Sequence, residues 1–140
     1  MPWWIYAFVS AVAAAATAVL AKLAVKDVPS TLATAVRTVV VLVFAWLMVF
    51  LTREHLAFRE LKGRTLWFLL LSGIGTGISW LAYFRALQLA PASRVAPIDK
   101  LSLAFTIVLA AVVLGERITP RVGIGAGLMV VGALLTLGKQ

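Results

Sequence analysis

Cysteine is absent from the 140 residues, which removes disulfide frameworks, thiolate metal sites and cysteine nucleophiles together. Histidine occurs once, as His55 in a charged loop, and a lone imidazole is a poor basis for a metal site. Charge is scarce and one-sided: 13 Lys and Arg stand against 5 Asp and Glu, and charged residues make up 13% of the chain. Soluble domains carry about 25%. There is no Gly-x-Ser-x-Gly elbow, no His-Glu-x-x-His motif and no paired acidic metal site, so the sequence points away from an enzyme and implies no cofactor.

Apolar residues fill the gap. They form 63% of the chain, with a mean hydropathy of +1.05. A soluble chain this short has too little interior to hide that much apolar surface, so the lipid bilayer is the first expected partner. The formal charge of +8 would suggest nucleic acid in a soluble protein. Here the basic residues sit mainly at the ends of apolar runs, where helices meet lipid headgroups, and nucleic-acid binding is not expected.

Five runs approach or exceed the ~20 residues that cross a hydrocarbon core of ~30 Å. They are 3–25, 31–51, 65–90, 92–114 and 120–137. Pro29-Ser30 precedes the second, Pro91 opens the fourth, Gly115 closes it, and Thr119-Pro120 supplies an N-cap with proline at the first helical position of the fifth. The first run lacks the basic leader of a cleaved signal peptide and reads as a retained membrane helix. Segment 52–64, with Arg53, Glu54, His55, Arg59, Glu60, Lys62 and Arg64, reads as a solvated loop. Backbone groups in lipid must be satisfied within each segment, so the fold class is all-α: a polytopic bundle of five transmembrane helices, residues 1–140 forming a single module. Gly73-xxx-Gly77 and Gly123-xxx-Gly127 allow close backbone approach, tight packing within the chain being the more frequent use of such motifs.

Alternation of the helices puts the N-terminus and the 2/3 and 4/5 loops on one side, A, and the remaining loops on side B. Lys22, Arg37, Arg85, Asp99 and Lys100 all fall in the half of the bilayer next to side B. Snorkelling to the headgroups is the plain account of Lys22 and Arg37. Asp99 resists it, because an ionised carboxylate on a short side chain is costly at that depth unless paired or facing water. Asp99 and Lys100 lie ~100° apart around a helix, so one of them is expected to pair with another helix. Ser102, Thr106 and Ala110 continue a polar, small-residue stripe from Asp99, and Pro97 should bend the helix just before it. Trp80 is too deep for an interfacial belt and is expected to stack on a substrate or pack against helix 4, with Tyr83 nearby.

The segments 89–97 (Leu-Ala-Pro-Ala-Ser-Arg-Val-Ala-Pro) and 114–120 (Leu-Gly-Glu-Arg-Ile-Thr-Pro), with the Gly-rich helix that follows, resemble the C-terminal half of an EamA module, the repeat unit of the drug/metabolite transporter superfamily. Ala21-Lys22-Leu23-Ala24 and Thr34-Ala35-Val36-Arg37 extend the resemblance over the whole chain. Most members carry two modules in inverted tandem; this chain resembles the half-size bacterial and archaeal branch, in which Pro97-Ile98-Asp99-Lys100-Leu101-Ser102 is a local signature. The resemblance implies a multi-pass protein of the prokaryotic inner membrane that moves small solutes. Small multidrug exporters of the superfamily depend on an acidic residue in helix 1, and helix 1 here has none.

The leading expectation is a secondary transporter of a small polar or charged solute, of metabolite or amino-acid type, acting by alternating access as a dimer of five-helix modules. Its substrate site is expected to comprise Lys22, Arg37, Trp80, Tyr83, Arg85, Asp99 and Lys100, with Asp99 as proton carrier. Four cations against one acid favour a cargo bearing a carboxylate or phosphate. Export of drugs or lipid intermediates through Asp99, and a non-transporting membrane subunit, are the alternatives. Side A carries Arg53, Arg59, Lys62, Arg64, Arg117 and Arg121; side B carries Lys22, Lys26, Arg85, Arg94 and Lys139. So even a balance gives little orientation bias and suits a homodimer of antiparallel protomers meeting at Gly123 and Gly127.

Overall fold

The structure is a computed structural model that describes residues 2–137, the side chain of Arg59 excepted. Met1 and Lys139, the latter part of the side B charge balance, lie outside the described residues. Every regular element among them is helical: α1 (Trp3–Ala24), α2 (Ser30–Leu51), a 3-10 helix (Glu54–Glu60), α3 (Gly63–Leu89), α4 (Ala92–Asp99), α5 (Leu101–Leu114) and α6 (Pro120–Leu135). α1, α2, α3 and the combined α4–α5 segment, Ala92–Leu114, are long and apolar enough to cross a membrane. α6 is a shorter apolar helix of 16 residues, about 24 Å long. The expected five-segment, all-α membrane architecture is therefore present, with the fourth segment divided in two.

The helix ends follow local chemistry. Thr119 accepts a hydrogen bond from the Val122 N–H at 3.4 Å and Pro120 takes the first helical position of α6, where its missing N–H costs nothing. Gly115 ends α5 at φ 69°, a left-handed conformation open to glycine, and the Glu116 N–H turns back to the Ala110 carbonyl at 3.2 Å. Arg53 adopts the same region at φ 60° after α2, without glycine's freedom. There the chain turns sharply into the 3-10 helix, whose Phe58 ring lies 6.5 Å from Trp46 of α2. Loop 52–64 is exposed, as a solvated segment should be, and most of it is ordered as a turn of helix beside α2.

The chain forms two compact units, Ala21–Gln88 and Met1–Leu20 with Leu89–Gln140. In the first, Ala21, Val25, Thr34, Phe84 and Leu87 are buried, so its core gathers the end of α1, the start of α2 and the end of α3. In the second, α5 packs on α6, α4 touches both, and Val95 and Ala133 are buried. Most remaining apolar side chains face outward, Val112 at 77% and Leu135 at 76% exposure, as lipid-facing residues should. A Cβ added at Gly73, Gly77 or Gly127 would meet nothing within 4 Å, and one at Gly123 only Ile118 at 4.0 Å. Within its own unit, none of these glycines is held in close contact by a neighbouring helix.

Candidate functional site

Within Ala21–Gln88, α2 opens with two threonines that settle their own hydroxyls: Thr34 donates to the Ser30 carbonyl and Thr38 to the Thr34 carbonyl, each at 2.8 Å. Such back-bonding lets polar side chains sit in an apolar helix without orphaned donors. Arg37 lies between them on the same stretch. Its guanidinium carbon stands 4.1 Å from the centroid of the Trp80 ring and 5.6 Å from that of Phe84, one helical turn along α3. Phe84 is buried, and the Tyr83 ring meets it edge-on at 6.4 Å. Arg37 is therefore drawn sideways onto an aromatic face, where snorkelling would send it toward the headgroups. The group that covers the Trp80 ring on one face is this guanidinium, a partner the sequence did not indicate.

Lys22 takes another role. Its ammonium donates to the carbonyl of Leu87, one of the last four α3 carbonyls, which have no acceptor role left inside the helix. The cation also complements the negative end of the α3 dipole. Gln88 answers from α3: its amide nitrogen donates to the carbonyls of Val28 at 2.9 Å and Val25 at 3.5 Å, just past the end of α1. Arg85, which is exposed, donates to the Gln88 side-chain oxygen at 2.9 Å. Lys22, Gln88 and Arg85 thus form a clasp in which α1 and α3 satisfy each other's terminal carbonyls. Gln88 was missed in the sequence; a lone amide in the last turn of an apolar helix was the available signal.

In the other unit, Asp99 and Lys100 pair with each other at 3.6 Å, the lysine side chain 55% and the aspartate 36% exposed. The ~100° separation that argued for a partner on another helix holds only for a continuous helix. Here α4 ends at Asp99, and Lys100, at φ −70° and ψ −7°, is the junction to α5, so the two side chains converge. Pro97 has no N–H for the Ser93 carbonyl, which loosens the turn leading to the break. The Lys100 N–H still reaches Ala96 at 3.2 Å, and the Leu103 N–H takes the Lys100 carbonyl at 3.0 Å in a tight three-residue step. The irregularity falls at Lys100, after Asp99, where the sequence had placed it before. Thr106 turns its hydroxyl back to the Ser102 carbonyl at 2.8 Å, closing the polar stripe on itself.

An ion pair at an interruption in a membrane segment and a stacked guanidinium in a second helix are features of a transport protein more than of a structural one. The model of the EamA-like transporter family matches residues 1–138. The chain belongs to that family. It is also 45% identical over 133 residues to a Sinorhizobium sp protein described as "Uncharacterized transporter in cobO 3'region", covering 95% of this chain and 94% of that one. No solved structure matches the chain. As a member of that family it is an integral membrane transporter, and the 140 residues span one five-helix module. The match to the relative from Sinorhizobium runs through all five helical segments.

Proposed function

We propose that the protein is a secondary transporter of a small polar or charged solute, working by alternating access as a homodimer in the inner membrane of a prokaryotic cell. The observation that carries this reading is the Asp99–Lys100 pair at the break between α4 and α5. Irregular backbone beside ionisable groups lets a membrane segment bind and release a polar ligand, and it is tolerated only where it faces protein or water. No nucleotide-binding Gly-x-x-x-x-Gly-Lys-Ser/Thr loop occurs, which favours an ion gradient as the energy source. Asp99 is the carboxylate suited to carry the coupling proton. Lys22, Arg37, Trp80, Tyr83 and Arg85 are the polar and aromatic residues proposed to serve the solute, Lys22 and Arg85 by holding the helix ends in place.

The unfilled space beside Gly123 and Gly127 on α6 supports a second copy meeting that face. The even balance of basic residues supports an antiparallel pair. Transport in reconstituted liposomes tests the coupling role: Asp99→Asn is expected to remove the pH dependence of solute movement. Asp99→Asn transport that keeps its full pH dependence would refute it.

A further inference from the structure

We infer that Arg37 is an oxyanion-binding residue, its guanidinium held over the Trp80 ring so that its free N–H donors receive the carboxylate or phosphate group of a small solute. The inference rests on the transport reading and narrows it to the class of cargo. A guanidinium stacked on an indole uses its face, and its five N–H donors lie in the plane of the group, pointing away from the stack. Among the described residues no hydrogen bond or ion pair engages those donors; the aromatic contacts with Trp80 and Phe84 are what hold the group.

Depth makes the open edge matter. Arg37 is seven residues beyond Ser30, about 10 Å along α2, and Trp80 is nine residues before the end of α3, about 13 Å from it. Uncommitted donors at that level are costly in hydrocarbon, so they require acceptors from water or from a ligand. Two coplanar oxygens match the guanidinium fork, whereas a halide offers one point of charge and a cation is repelled. Stacking also restrains the side chain before binding, which lowers the ordering cost of each hydrogen bond formed. Arg64, over Phe68 at 5.8 Å in the turn where α3 starts, repeats the pairing on an exposed surface and serves as an internal control.

The test uses the full-length protein in phosphatidylcholine nanodiscs, treated with phenylglyoxal, with modification at each arginine read by mass spectrometry. Sodium acetate, inorganic phosphate or neither is present, and a parallel sample in phosphatidylglycerol reports a lipid headgroup. Acetate or phosphate is expected to slow modification of Arg37 roughly ten-fold and leave Arg64 unchanged, with Trp80→Phe keeping the protection and Trp80→Leu losing most of it. Equal modification with and without both anions, or an Arg37 that the reagent never reaches, would overturn the proposal. Protection by phosphatidylglycerol alone would overturn it in favour of a lipid headgroup. Full protection retained in Trp80→Leu would overturn the role of the stack. Solute uptake measured on the same preparation separates the two failures, since transport that persists while Arg37 binds neither anion removes this subsite and leaves the transport reading intact.

Discussion

A cation in the membrane part of a helix must be stretched to the headgroups, paired or stacked, and the three cations of Ala21–Gln88 that the sequence placed there settle this differently. Lys22 caps Leu87, Arg85 holds Gln88, and Arg37 stacks on Trp80. Arg37→Lys keeps the charge but has neither the flat face nor the fork. It is expected to lower solute affinity about ten-fold with the melting temperature nearly unchanged, checked by binding and thermal unfolding of the same sample. Gln88→Leu removes the donor to the Val25 and Val28 carbonyls at similar side-chain size, and should cost about 1 kcal/mol, read as a lowered midpoint of unfolding in detergent. The depth of Lys22 and Arg37 was legible in the sequence because it depends only on distance from the helix ends. Their partners were not, because periodicity gives the face of each helix and not which faces meet.

At the level of elements, the ends of the helices were the most readable feature. Thr119-Pro120 and Gly115 act through their own backbone and side chains, and the boundaries they imply are those observed. The 3-10 helix after α2 was not readable, since its order depends on Phe58 finding Trp46. The break in the fourth segment was half readable: Pro97 announces a missing hydrogen bond, but the point where the chain yields, Lys100, depends on how the following turn re-forms. Pro97→Ala returns an N–H to the Ser93 carbonyl and favours one continuous helix, which would carry Asp99 and Lys100 back to divergent directions. It is expected to slow amide exchange across 98–103 and raise the melting temperature while slowing transport several-fold. Faster transport from the straightened helix would contradict the role assigned to the break.

For the whole molecule, composition was enough to give the membrane, and resemblance to give the family, because both are spread over the entire chain. Assembly is another matter. Within their own units the glycines of α3 meet no neighbour and those of α6 meet only Ile118 beside Gly123, which leaves both faces free of close helix contacts there. At Gly127 on α6 an added Cβ meets nothing within 4 Å, so Gly127→Leu is a test of that face. It should leave monomer stability within about 1 kcal/mol and shift the proposed dimer to monomer in detergent, read by mass photometry or cross-linking. The central claim, that this single module moves a small solute, is tested most directly by uptake. Liposomes containing the purified protein are incubated under a pH gradient with an isotopically labelled extract of bacterial metabolites, and the lumen is then analysed by mass spectrometry. The account predicts that one or a few carboxylate- or phosphate-bearing solutes accumulate above protein-free liposomes, and that Asp99→Asn abolishes the dependence on the gradient. A lumen indistinguishable from that of protein-free liposomes across the whole extract would contradict it and make the chain a membrane subunit that does not transport.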